Sequence, residues 1–367
     1  MQLYEVGGAV RDALLGLPAT DHDWVAVGAT PEQLVALGYR PVGRDFPVFL
    51  HPQTHEEVAL ARTERKTAPG YHGFVFHTEP EVTLEEDLAR RDLTINAMAR
   101  DEQGTLIDPY GGAQDLRARV LRHVSAAFAE DPVRLLRIAR FAARFHDFSV
   151  APETLALLRR MVAAGEADAL VPERVWQELA RGLMEARPSR MWQVLADCDA
   201  LGRLMPEVSA SDDRPPVLDR CAEDAAPLTV RFACLARAAD DPAALAQRLR
   251  APKDCEALAV MHQRELAMLT ASALPTADHC VQLLERNDAW RRPERFAELL
   301  LAARCEAPGW TGSAAWDAVR EAAAAVDTAA LAQAAAAQGA HGPAIGAAIL
   351  RARVDAVTRA KIPHPSG

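Results

Sequence analysis

Cysteine is absent before Cys198, and the six cysteines of the chain, Cys198, Cys221, Cys234, Cys255, Cys280 and Cys305, never form a Cys-x-x-Cys pair. That excludes a zinc ribbon and a thioredoxin-type redox motif, and it points to free thiols in a reducing compartment, with neither a disulfide nor a zinc site expected. Basic residues are in deficit: 41 Lys and Arg face 51 Asp and Glu, a net charge of −10. A protein coated in positive charge is excluded, so a nucleic-acid partner requires a local concentration of cations. No long apolar run is present, because the Ala-rich stretch from Ala322 to Leu350 is interrupted by Asp327, Gln333, Gln338, His341 and glycines. It reads as a small-residue helical segment and not as a membrane span. The first strand begins almost at residue 1, leaving no room for a signal or transit peptide, so the expected location is cytoplasmic. At 367 residues the chain exceeds one typical core, and two or three domains are expected.

What the chain does contain is concentrated near its start. Tyr4 to Asp23, YEVGGAVRDALLGLPATDHD, reads as strand, glycine turn, helix, strand. Alternation along a strand turns Asp21 and Asp23 to one face and His22 to the other. Two carboxylates on one face repel, and a hard cation such as Mg²⁺ resolves the repulsion. Gly7 and Gly8, where strand meets helix, let the backbone approach an anion near the helix N-terminus. Each half alone is compatible with an ordinary turn or a solvated strand end. Together they suggest metal-assisted phosphoryl or nucleotidyl transfer.

Up to about Leu121 the pattern is mixed α/β: WVAVG, PVFLH, EVALA and TLIDPYGG alternate with TPEQLVALG and LEEDLARRDLTINAMAR. After Phe128 strand signals nearly vanish, and proline-bounded helices follow, with SASDDRPPVLDRCAEDAAP reading as a loop. Three stretches carry further chemistry. ARTERKTAPGYHGF, with Gly70 and Gly73, is either a solvated loop or a mobile one offering Arg62, Arg65 and Lys66. A helix from Leu84 would carry Asp87, Arg90 or Arg91, and Thr94 on neighbouring turns. Arg91 could then clamp a triphosphate, with Asp92 ordering the arginines or a ribose hydroxyl, or the helix could be a surface ion-pair helix. In EDPVRLLRIARFAARF, Arg134, Arg137, Arg140 and Arg144 share one helical stripe. That stripe is either a solvated face or the local cation cluster that an acidic nucleotide- or RNA-binding protein needs.

With GGAVRD, DHD, RTERK…GYHGF, RRDLTINA, DPYGG and EDPVRLLRIARFAARF in this order, the sequence resembles bacterial class II CCA-adding tRNA nucleotidyltransferases, the group that also contains bacterial poly(A) polymerases. The resemblance spans about the first 150 residues and continues through ERVWQELARGL to about Pro206. It implies a nucleotidyltransferase head at 1–125, a small mixed or antiparallel sheet with helices. An all-α neck at 126–206 would carry the nucleotide-selecting helix, and an all-α body and tail at 207–367 would bind tRNA. It implies that Asp21 and Asp23 bind catalytic Mg²⁺ and that Gly8, Arg11, Arg91, Arg137 and Arg140 contact the incoming ATP or CTP. Asp131 and Arg134 would form the protein template that reads the base, the RTERK loop would accompany the change from C to A addition, and Glu57 is the candidate third carboxylate.

The chemistry of those residues fits. Cytosine and adenine both present an amine donor beside a ring-nitrogen acceptor, whereas uracil and guanine present a carbonyl beside a ring N–H. An ionised Asp131 only accepts and Arg134 only donates, and three residues apart on a helix they would share a face. The metal-dependent HD phosphohydrolase domain of many long relatives requires a His-Asp pair, and the corresponding VRFACLARAADDP has none. His146-Asp147 follows the arginine stripe without a companion histidine, and His262 and His279 look isolated, so no phosphohydrolase is expected. Trp290, Arg291, Arg292 and Arg295 form either a basic contact for the acceptor arm or a surface helix start. The expected activity is addition of the 3′-terminal CCA of tRNA from CTP and ATP. The alternatives are a poly(A) polymerase, or a non-catalytic RNA-binding scaffold.

Overall fold

The structure is a computed structural model that describes residues 1–19, 22–42, 48–66, 74–77, 79–208 and 213–363, without the side chains of 64–66 and 74–77. Two compact units form, one from Met1–Gly182 with Arg190–Leu204 and one from Leu183–Ser189 with Met205–Gly367.

The first unit opens with β1 (Gln2–Val6), α1 (Gly8–Leu14), β2 (Asp23–Val27), α2 (Pro31–Ala36), β3 (Arg40–Pro41), β4 (Val48–Leu50) and β5 (Glu57–Leu60). There follow β6 (Thr63–Lys66), β7 (Phe74–His77), α3 (Leu84–Ala89), β8 (Ala99–Arg100), β9 (Leu106–Ile107) and α4 (Gly112–Ala118). Seven strands build one mixed sheet in the order β3-β4-β5-β2-β1-β8-β9, and β6 and β7 form a hairpin of their own. β2 is antiparallel to β1 and parallel to β5. Its side chains alternate between two cores. Val25 packs with Val6, Ala61 and Leu88 on one face, and Ala26 packs with Leu34, Phe49 and Leu60 on the other. The capping box of Thr30 and Gln33 starts α2, and that of Thr83 and Glu86 starts α3.

β10 (Val120–Leu121) and β11 (Ser149–Val150) pair in a short parallel ladder around α5 (Val133–Arg144). α6 (Pro152–Ala163), α7 (Pro172–Leu183), α8 (Pro188–Asp197) and α9 (Leu201–Leu204) follow. The second unit is helical: α10 (Arg214–Glu223), α11 (Leu228–Ala236), α12 (Pro242–Arg248), α13 (Lys253–Leu269), α14 (Ala277–Arg286), α15 (Pro293–Glu306), α16 (Ser313–Ala324), α17 (Thr328–Ala337) and α18 (Pro343–Arg359). The expected class, a mixed-sheet head followed by helices, is the one observed. Among the described residues no helix is long and apolar enough to cross a membrane, and all six cysteines are buried free thiols.

Two local readings are corrected. The helix expected from Leu84 through Thr94 stops at Ala89, because Leu93 is drawn into a bridge with His123 and the Thr94 N–H donates to the Arg122 carbonyl. The run SASDDRPPVLDRCAEDAAP, expected to be a loop, contains α10. Pro215 and Pro216 occupy its first turn, where a missing N–H costs no hydrogen bond, and Cys221 and Leu218 bury its inner face. β2 begins at Asp23, with His22 ahead of it contacting Glu5, and the expected alternation of Asp21 with Asp23 falls outside the described residues.

Candidate active site

A cavity of about 800 Å³ opens in the first unit between the end of β1, the start of β2 and β5, and the arginine face of α5. Its acidic side is set by strand register. Val6 pairs with Asp23, and Asp23 pairs with Glu57 on the parallel neighbour, so the two exposed carboxylate residues stand side by side on adjacent strands. Both line the cavity. Asp21 lies outside the described residues, as do Gly70 and Gly73 of the RTERK stretch, and the side chains of Arg65 and Lys66 are not described. Arg62 lines the cavity, and its backbone N–H donates to Asp87.

Gly7 makes the turn out of β1 at φ +73°, a conformation in which side-chain-bearing residues are strained. A Cβ there would stand 2.9 Å from Nη1 of Arg91. The glycine therefore lets a guanidinium lie against the backbone. Arg91 donates through Nη2 to the fully buried Asp87, while its buried Nε has no hydrogen-bond partner among the described residues. Asp87 also accepts from Arg90 at 2.6 Å. Burial pushes the Asp87 carboxyl up, but the charges of Arg90 and Arg91 outweigh it and hold the group below its ordinary range.

The stripe on α5 is braced from elsewhere in the unit, by a carbonyl at Arg134 and by acids at Arg137, Arg140 and Arg144. Four guanidiniums on one helical face repel, and the fold answers each separately. Arg134 donates to the Ala127 carbonyl, Arg137 to Asp92 at 2.7 Å, Arg140 to Glu178 of α7 at 2.7 Å, and Arg144 to Asp12 of α1 at 2.9 Å. Phe141 lies among them, with the guanidinium carbons of Arg140 and Arg137 at 4.6 and 5.8 Å from its ring centre. Arg11, only 3% exposed, lies against the rings of Phe141 and Phe145 and is tied to Asp12 and Asn96. Burial lowers its pKa against the support of Asp12. Asp92 is buried, which raises its pKa, yet Arg137, Asn96 and the Leu93 N–H bring it down to about 2. Of the two roles considered for Asp92, ordering an arginine is the one the geometry shows.

Asp131 and Arg134 both line the cavity, but they do not share a helical face. Asp131 has extended backbone ahead of α5 and accepts from the Val133 N–H, while Arg134 is in the first helical turn. Pro132 between them forces this, since a residue before proline avoids helical geometry. Sequence reasoning missed what holds Asp131: Arg174 of α7 forks onto both its oxygens at 3.2 and 3.1 Å. It also missed Glu178, one turn on. Arg174, Glu178 and Arg181 in ERVWQELARGL stand three or four apart, the spacing that could have revealed a second polar face turned to the site.

Ten arginines and five carboxylates line the cavity among its described residues. It is the local cation concentration required of an acidic chain, and its shape and charge suit a polyanion beside a small all-oxygen acidic patch. His146 and Asp147 lie just beyond α5, with Asp147 paired to Arg119. Trp290 stacks under Arg353 and Arg292 caps α15, so that segment begins a helix.

The sequence matches two family descriptions: the poly A polymerase head domain over residues 3–122 and the probable RNA and SrmB binding site of polymerase A over 147–211. It is 56% identical to the multifunctional CCA protein of Leptothrix cholodnii, with 97% of this chain and 96% of that protein aligned. It is 56% identical to the multifunctional CCA protein of Azoarcus sp. over 91% of this chain and 92% of that protein. The alignment with the Leptothrix protein runs over 402 positions, more than the 367 residues of this chain, so the relative carries residues that this chain lacks. Among solved structures, the CCA-adding enzyme of Bacillus stearothermophilus in complex with CTP superimposes with a TM-score of 0.73 at 26% identity, over 96% of this chain and 88% of that one. The chain belongs to the multifunctional CCA protein family, nucleotidyltransferases built on the poly A polymerase head domain.

Proposed function

We propose that the chain adds and repairs the 3′-terminal CCA of tRNA, using CTP and ATP without a nucleic-acid template, in the cytoplasm. The observation that carries the reading is the single cavity in which the Asp23–Glu57 carboxylate pair faces an acid-braced arginine stripe. The reaction joins the tRNA 3′-oxygen to the α-phosphate of the incoming nucleotide and releases pyrophosphate.

Asp23 and Glu57 present only oxygen donors on adjacent strands, which fits a hard divalent cation such as Mg²⁺, and Asp21 is assigned to the same role from the sequence. When bound, the metal supplies activation of the attacking hydroxyl and charge neutralisation on the phosphates. The chain's own part is positioning. Gly8, Arg11, Arg91, Arg137 and Arg140 receive the triphosphate, with Arg137 and Arg140 fixed in advance through Nε by Asp92 and Glu178. Asp131 accepts from the exocyclic amine of C or A. Its Oδ1 accepts from both Arg174 and the Val133 N–H, so the amine falls to Oδ2, which Arg174 uses once and which keeps a second lone pair. Arg134 donates to the ring nitrogen. U and G would set donor against donor and acceptor against acceptor, leaving buried polar groups unpaired at a cost of about 1 to 3 kcal/mol each. In this reading residues 1–125 form the catalytic head, 126–206 the nucleotide-selecting neck, and 207–367 a body that holds tRNA.

The test is purified protein with Mg²⁺ and tRNA ending before its CCA, with CTP and ATP supplied singly and together. Ordered addition stopping after three nucleotides is the expected result. Long A tails would identify a poly(A) polymerase instead, and no incorporation a non-catalytic RNA-binding scaffold.

A further inference from the structure

Far from the α5 cavity in sequence, the helical unit gathers a second constellation. Cys234 of α11, His262 of α13 and Glu306 at the end of α15 each place one ligand-capable atom within 4.8 Å of the other two. The fold thus corrects the reading of His262 as isolated. Cys234 and His262 are fully buried, and the Glu306 side chain is 7% exposed. Two more buried thiols lie on the elements that frame the cluster, Cys221 on α10 and Cys305 next to Glu306 on α15.

The histidine supplies an independent observation. Its Nδ1 faces the Ala233 carbonyl at 3.4 Å, an atom that only accepts, so Nδ1 carries the proton and Nε2 carries a bare lone pair. That Nε2 is buried and has no hydrogen-bond partner among the described residues, a condition that native interiors avoid. A carbonyl-held imidazole with an unspent ring nitrogen is how proteins prepare a metal ligand. Glu306 is prepared in the same sense: Arg214 forks onto both its oxygens and also donates to the Cys234 carbonyl at 2.8 Å. Each Glu306 oxygen retains a lone pair.

We propose that Cys234, His262 and Glu306, with Cys305 or Cys221 as fourth donor, form a structural site for a thiophilic divalent cation of the Zn²⁺ class. Sulfur, nitrogen and oxygen donors in a buried, closed pocket suit a four-coordinate structural ion, with the thiol protons passing to solvent on binding. The donor set differs in kind from the all-oxygen pair of Asp23 and Glu57, so the two sites sort different ions.

The experiment uses the untagged full chain, freed of loosely held metal by dialysis and titrated with Co²⁺ and Zn²⁺. The expected result is about one tightly held ion per chain, a thiolate-to-cobalt charge-transfer band with tetrahedral visible absorption, and displacement of Co²⁺ by Zn²⁺ but not by Mg²⁺. The band should persist in Asp23→Asn and be lost in Cys234→Ser and His262→Gln. Glu306→Gln, which keeps volume and a partner for Arg214, should retain wild-type circular dichroism and weaken Co²⁺ binding about 10-fold or more. A wild-type chain that binds no more Co²⁺ than Glu306→Gln, or whose cobalt spectrum lacks a thiolate band, overturns the proposal and leaves a cysteine-rich packing core.

Discussion

At Asp131 a single carboxylate is asked to be both rigid and selective. Arg174 supplies rigidity by a bidentate grip from α7, the Val133 N–H takes up the rest of Oδ1, and the lone pair left on Oδ2 supplies selectivity. Asp131→Ala is expected to relax the preference for CTP and ATP over UTP and GTP more than it slows turnover, and Arg174→Ala to reproduce part of that loss by loosening the carboxylate. Incorporation measured with each nucleotide singly checks both, and unchanged preference in Asp131→Ala refutes the template role. Asp92 makes a prediction of a different kind. Its folded pKa, about 2, lies below that of a free aspartate, so its ionised form adds stability above about pH 4 that is lost as pH falls toward 2, on the order of 2 kcal/mol. Asp92→Asn should therefore lower the urea midpoint at pH 7, and the gap from wild type should close as the pH is brought from 4 to 2. A gap independent of pH would show that the ion pair with Arg137 contributes nothing.

Among elements, the turns matter as much as the helices they join. Gly112 opens α4 where an added Cβ would stand 2.2 Å from the Thr94 carbonyl oxygen, a backbone atom that cannot step aside. Gly112→Ala is expected to cost about 3 kcal/mol or more, read as a fall in Tm, because strain there forces α4 off its neighbouring segment. Gly7→Ala meets the mobile end of Arg91 instead, so it should spare folding more and lower nucleotide affinity through the displaced guanidinium, measured as a raised KM for both CTP and ATP. A Gly7→Ala chain with wild-type KM would separate Arg91 from triphosphate binding. How much of this was legible depended on range. The strands WVAVG and EVALA and the stripe of Arg134, Arg137 and Arg140 follow from local periodicity, and so they stood in the sequence as they stand in the fold. The pairing of Asp23 with Glu57, the braces from Asp12, Asp92 and Glu178, and the grip of Arg174 join residues whose separation carries no periodic signal. Pro132 and the prolines of α10 show the opposite failure, where a residue read as a simple break sets a particular cap.

For the whole molecule, an acidic chain concentrates ten arginines in one cavity and pairs at least eight of them with acids of its own. Affinity for tRNA should consequently fall as a power of salt concentration while nucleotide selectivity, set by hydrogen bonds, stays nearly constant. Filter binding and incorporation assays across a salt series would distinguish the two. No phosphate release from a 2′,3′-cyclic phosphate is expected, since the run VRFACLARAADDP holds no His-Asp pair, and release that survives Asp23→Ala would refute this. The placement of Asp23 has one more consequence. β2 is hydrogen-bonded on both sides, to β1 and to β5, inside a seven-stranded sheet, whereas among the described residues β6 and β7 pair only with each other. Amide exchange should accordingly be slowest along Trp24–Ala26 and early across the hairpin. On warming, the carboxylates would remain aligned until global unfolding, so the loss of activity and the melting of the sheet should follow one curve.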